Sequence, residues 1–157
     1  MMKSKKNKAR FVYVIYISAT AEKVWEALLN GELTRQYWGR ENVSDWKPGS
    51  TWQHRRLDEG RTVALVGDVV ESVPPRRLVL TWADPADAAD KAKHTRVTFE
   101  IEPIEDMVRL TVTHDELEAD SEMRRRITNG WPRVLSSLKS FLETGRPLNT
   151  WAETKEC

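Results

Sequence analysis

Ile127-Thr128-Asn129-Gly130-Trp131-Pro132-Arg133-Val134-Leu135-Ser136-Ser137-Leu138-Lys139-Ser140-Phe141-Leu142-Glu143-Thr144-Gly145 is the stretch on which the fold turns. Ile127, Trp131, Val134, Leu135, Leu138, Phe141 and Leu142 recur at the offsets of one helical face, and Arg133, Ser136, Ser137, Lys139, Ser140 and Glu143 fill the other. An amphipathic helix of this length buries its apolar stripe against something broad. Residues 41–115 supply it, because they read as short alternating strands. The expectation is an α+β domain in which one antiparallel sheet clasps a C-terminal helix over roughly residues 121–145, with Trp131, Leu135, Leu138 and Leu142 facing the sheet.

Upstream, Phe11 to Ser18 is rich in β-branched and aromatic residues and reads as a strand. The basic residues before it and Ala19-Thr20-Ala21 after it imitate a secretory signal, but the apolar run Phe11–Ile17 is short and holds two tyrosines. Thr20 is the expected N-cap of a first helix, with Val24, Trp25, Leu28 and Leu29 as its apolar stripe and Gly31 as its stop. A second helical turn is expected over Leu33 to Tyr37. Strands are expected at Val43–Trp46 (weakly), Thr51–Leu57, Thr62–Val73 with a bend at Gly67, Leu78–Trp82, Thr95–Glu102 and Met107–His114. Val97, Phe99 and Ile101, then Val108, Leu110 and Val112, alternate with polar residues, so these strands have one dry and one wet face. Asp84–Asp90 reads as a loop. Residues 1–9 read as a disordered basic tail, 10–146 as one domain and 147–157 as a C-terminal tail.

The 157 residues suit a single domain, and 25 Lys and Arg against 24 Asp and Glu give no bias toward nucleic acid or a membrane surface. No segment approaches the ~20 apolar residues of a membrane span. The one cysteine, Cys157, permits no intramolecular disulfide, which favours a reducing, cytoplasmic setting. Three histidines on separate segments make a poor metal set, so neither metal nor cofactor is expected. Neither a nucleophile elbow nor a phosphate-cradling glycine loop occurs. Seven tryptophans are many for this length, and rings spread over strands and helices suit the walls of a cavity.

Ser18-Ala19-Thr20-Ala21-Glu22-Lys23-Val24-Trp25-Glu26-Ala27-Leu28, Tyr37-Trp38-Gly39, Gly67 through Leu78, Leu80-Thr81-Trp82, Arg96 through Glu100, Arg109 through His114, and Gly130-Trp131-Pro132 with Leu142-Glu143-Thr144-Gly145 form an ordered set. Together they resemble the SRPBCC (START-like, helix-grip) superfamily, in its bacterial branch similar to the C-terminal domain of the activator of heat-shock-protein-90 ATPase. The resemblance spans roughly residues 10–146. It implies a seven-stranded sheet curved around the last helix with a cavity between them. It implies no single function, since members include ligand carriers, polyketide cyclases and co-chaperone domains.

The leading expectation is a hydrophobic small-molecule ligand, aromatic, polyketide-like or lipid-like, walled by Trp38, Trp52, Trp82, Trp131 and Leu135. His114, Arg56 and Tyr37 would orient its polar end. His114 shares the register of Val108, Leu110 and Val112; its plainer reading is a histidine hydrogen-bonded at the strand's end. Arg124-Arg125-Arg126 reads as a solvated helix edge. One alternative is a co-chaperone-like domain that binds a protein partner, weakened by the lack of the separate N-terminal domain found in eukaryotic activators. Another is a cyclase or lyase using His114 as acid or base. Monomer and homodimer both remain open.

Overall fold

The computed structural model describes residues 8–148. Strand β1 (Lys8–Ile17) leads into helices α1 (Ala21–Leu29) and α2 (Gly31–Trp38). Six strands follow: β2 (Arg40–Val43), β3 (Thr51–Arg56), β4 (Val63–Val73), β5 (Arg77–Trp82), β6 (Thr95–Ile104) and β7 (Met107–Glu118). Helix α3 (Glu122–Thr144) closes the domain. The sheet runs in the order β1-β7-β6-β5-β4-β3-β2, every pair antiparallel. Strands β2 to β7 form a meander, and β1 returns beside β7. This is the helix-grip arrangement: the curved sheet holds α3 against its inner face through Ile127, Trp131, Val134, Leu135 and Leu138, all buried.

Capping follows the chemistry of the terminal residues. Thr20 Oγ1 accepts from the Lys23 N–H (3.2 Å), Ser121 Oγ accepts from the Arg124 N–H (3.1 Å), and Gly145 ends α3 in the left-handed region at φ 82°. Gly31 does not stop α1 but opens α2. The stop is Asn30, whose amide N–H donates to the Glu26 carbonyl and whose Oδ1 accepts from the Glu32 and Leu33 amides. A side chain able to cap a following helix lets one residue end one helix and begin the next.

Further expectations are corrected. The strand placed at Val43–Trp46 lies earlier, at Arg40–Val43, and Trp46 takes a positive φ of 60° in the irregular segment that follows it. Strand β7 does not end at His114; it pairs with β1 as far as Glu118, with Glu116 at φ 59° and Leu117 buried. Ser137 lies not on the wet face of α3 but fully buried, because the chain after Gly145 turns back over it. Its hydroxyl accepts from the Leu148 N–H (3.1 Å) and donates to the Leu148 carbonyl (3.3 Å). Pro132 sits inside α3, which runs unbroken from Glu122 to Thr144, and Phe141 and Leu142 are only half-buried. Strand β1 takes in Lys8 and Ala9, read above as tail. The tail readings for 1–7 and 149–157, and Cys157, lie outside the described residues.

Gly67 is required by a close approach. A Cβ built there would overlap the Thr81 carbonyl oxygen of β5 and lie 2.5 Å from Trp52 Nε1. That space holds the Trp52 Nε1–H to Thr81 carbonyl hydrogen bond (2.8 Å), which ties β3 to β5 across β4.

Candidate functional site

An open groove of about 390 Å³ lies between the β2–β3–β4 end of the sheet and the N-terminal half of α3. Its floor and walls are apolar: Trp38 from the end of α2, Leu65 from β4, Trp82 from the end of β5, and Trp131 and Val134 from α3. Strand alternation builds one side. Trp52, His54 and Arg56 share a face of β3, graded from buried to exposed, and Asn42 and Arg40 stand opposite His54 and Arg56 on β2. The helical period builds the other. Arg126, Gly130 and Arg133 follow one another at i, i+4 and i+7 beside the Ile127, Trp131, Val134 stripe. A Cβ at Gly130 would meet nothing within 4 Å, so the missing side chain leaves the groove wall open there.

The rings form a continuous cluster. Trp38 lies 4.6 Å from His54 and 5.6 Å from Trp131, and Trp82 lies 5.2 Å from Trp52 and 5.4 Å from Trp131 between centroids. The buried Trp82 Nε1–H has no acceptor, an uncompensated donor in a wall of the groove.

His114 is beneath this cluster rather than at a rim, because β7 continues past it. It is fully buried, and both ring nitrogens are engaged. Trp131 Nε1–H donates to Nδ1 (3.1 Å), since an indole nitrogen can only donate. The proton is therefore on Nε2, which donates to Thr95 Oγ1 (2.8 Å), and that hydroxyl donates to the Trp82 carbonyl (2.8 Å). A second proton on Nδ1 would face the indole N–H. Burial pushes the pKa from 6.5 down to about 3. His114 thus braces Trp131 and Trp82 and has no free lone pair with which to act as a base.

His54 does line the groove. Asn42 Nδ2–H donates to the Leu28 carbonyl (2.9 Å), which leaves Asn42 Oδ1 to accept from His54 Nδ1–H (2.6 Å). Nε2 is then the acceptor nitrogen of His54. Burial, reinforced by Arg40 and Arg56, pushes its pKa down to about 3.

Of the residues singled out from the sequence, Trp38, Trp82, Trp131 and Arg56 line the groove. Trp52 stands behind Trp82, and Leu135 is in the core beneath α3. Tyr37 is fully buried with its hydroxyl donated to the Ala27 carbonyl (2.8 Å), and burial pushes its phenol pKa far up. The reading missed His54, Arg40, Arg126 and Arg133. The helical spacing Arg126-Gly130-Arg133 was a usable signal, and Arg126, though solvent-exposed, also pairs with Asp84 (3.2 Å). Among the described residues no group of three or more His, Cys, Asp or Glu side chains could hold a metal, and no helix is long and apolar enough to cross a membrane.

The profile of the activator of Hsp90 ATPase homolog 1-like family matches residues 18–143. The chain belongs to that family. No curated protein matches. Among solved structures, the fold is similar to the Aha1 dimer from Colwellia psychrerythraea, with a TM-score of 0.72 at 22% identity over 87% of this chain and 98% of that one. It is similar to a protein from Cytophaga hutchinsonii (TM-score 0.69, 26% identity, 87% and 95% covered). It is also similar to an HSP90 activator from Plasmodium falciparum (TM-score 0.69, 20% identity, 85% and 95% covered). At these identities the first and third likenesses speak for the fold alone.

Proposed function

We propose that this family member binds a small hydrophobic molecule, aromatic or lipid-like, in the groove between the sheet and α3. The observation that carries this reading is the groove itself: about 390 Å³ walled by Trp38, Trp82 and Trp131, and left open on the helix side by Gly130. Ligand sites of small molecules have this size and this mostly apolar lining with a few polar groups. A mid-helix glycine costs roughly 1 kcal/mol relative to alanine, and in this wall it keeps space that a side chain would take. His54 Nε2 supplies an acceptor for orienting a ligand, while His114 holds the rings in place.

A thermal-shift screen of flavonoids, polyketides, fatty acids and sterols, read together with tryptophan emission, tests the reading. A ligand at 100 times its Kd stabilises by ~2.7 kcal/mol, a rise in Tm of roughly 5–10 °C for a domain of this size. Absence of any saturable shift across all classes would defeat it. The rival reading, a domain that docks on an Hsp90-type ATPase, is favoured by family membership. Saturable stimulation of such an ATPase at micromolar concentration would favour it over the small-molecule reading.

A further inference from the structure

Of the titratable side chains that line the groove, only His54 is buried, at 1% exposure. Its proton is fixed from behind. The Leu28 carbonyl can only accept, so Asn42 turns its Nδ2 amide toward it (2.9 Å), and the Asn42 backbone N–H donates to Thr34 Oγ1 (3.2 Å). Asn42 is thereby held from α1 and α2, and it presents Oδ1 to Nδ1–H of its cross-strand partner His54 at 2.6 Å. The lone pair of His54 is therefore on Nε2. Among the described residues no donor bonds to it, and the sealed side-chain atoms without a partner are Trp82 Nε1 and Asp115 Oδ1, not His54 Nε2. This nitrogen thus opens to the groove, where the wall rings of Trp38 and Trp82 lie 4.6 and 6.1 Å from the imidazole between centroids. The contrast with His114 is direct. His114 is satisfied at both nitrogens and is a brace, whereas His54 is satisfied at one and leaves the other to whatever fills the groove.

We infer that the ligand carries a neutral hydroxyl, a phenol or an alcohol, on its apolar body, and that this O–H donates to His54 Nε2 while the body lies against Trp38, Trp82 and Trp131. This rests on the groove being a ligand site and adds the chemical class of its head. A buried acceptor selects by what it leaves unpaired. A ligand with only an ether or carbonyl oxygen at that point sets lone pair against lone pair and strips Nε2 of water without replacing it. The tautomer cannot adapt, because a proton on Nε2 instead would turn a bare Nδ1 toward Asn42 Oδ1. Nor does the ring take a second proton and become a donor there: burial, aided by Arg40 and Arg56, holds its pKa at about 3.

The test titrates the full chain with 4-phenylphenol and with 4-methoxybiphenyl, the same body with an acceptor in place of the donor, following tryptophan emission. The ether is the more apolar probe, so the readout is the ratio of the two Kd values in the wild type against the ratio in His54→Phe, which keeps a ring and removes the acceptor. The preference for the phenol should fall by about tenfold in the variant, the scale of one buried hydrogen bond. Circular dichroism and Tm establish whether the variant is folded. A second readout needs no variant: the ¹⁵N resonance of His54 Nε2 should move upfield at saturating phenol, as that of an accepting nitrogen does, and show no such shift with the ether. Should His54→Phe fail to fold, this resonance alone decides. Equal ratios in wild type and folded variant, or an Nε2 resonance indifferent to the phenol, overturn the hydroxyl inference and leave the groove reading standing. If neither probe gives saturable quenching, the groove reading fails and takes this inference with it.

Discussion

Lowering the pH from 7.5 to 5.5 should destabilise this protein by about 3 kcal/mol, and two buried histidines are the reason. His54 and His114 are 1% and 0% exposed, and each has a pKa pushed from 6.5 to about 3 in the folded state. In the unfolded chain both return to ordinary values. Between pH 6.5 and 3 the unfolded state therefore binds more protons than the native state, and stability rises with pH across that window. The contribution is complete above pH 6.5 and is lost as the pH falls toward 3. At pH 5.5, one unit below the ordinary value, each histidine costs about 1.4 kcal/mol. The measured interval, pH 7.5 to 5.5, lies above the range in which exposed carboxylates titrate. Guanidinium unfolding at pH 7.5, 6.5 and 5.5, at constant ionic strength, measures the difference. The imidazole signals of both residues, followed by NMR, should stay at neutral positions to pH 5. A stability change below about 1 kcal/mol, or either ring titrating near 6.5, would refute the buried, singly protonated geometry.

Trp131→Ala should cost about 3–5 kcal/mol, the range for a buried aromatic, measured by denaturant unfolding; a loss below ~1 kcal/mol would put the wrong face of α3 inward. Gly67→Ala should cost about 2–3 kcal/mol, because its Cβ collides with the Thr81 carbonyl and breaks the Trp52 hydrogen bond, and neutral stability would contradict that close approach. Gly130→Ala should stabilise by about 0.5–1 kcal/mol, since its Cβ meets open space. Gly130→Trp should keep the fold while abolishing ligand-dependent quenching, and unchanged binding would place the ligand elsewhere.

The fold was legible where burial imposes a period. The alternation through Val97–Ile101 and Val108–Val112 and the stripe Ile127–Leu138 appear in the structure as read, because each strand or helix has one dry face. Misreadings arose where a tertiary contact overrides local chemistry. Asp115 and Glu116 look like a strand's end, yet pairing with β1 carries β7 on to Glu118 and sinks His114 into the interior. Ser137 is polar and sits where a wet face is expected, yet Leu148 covers it. The aromatic walls could be chosen by residue type. Arg56 was chosen with them, but Arg40 was not, since the two meet only through the β2–β3 register, which no pattern within either segment specifies.

The most direct test of the groove as a ligand site is the indole N–H spectrum of the tryptophans, recorded by ¹⁵N-resolved NMR during titration with 4-phenylphenol. The groove reading predicts saturable shifts of the Trp38, Trp82 and Trp131 signals. Trp25, on α1 and outside the groove lining, should stay fixed as the internal reference. Unmoved signals from Trp38, Trp82 and Trp131 at saturating probe, or shifts confined to Trp25, would contradict it.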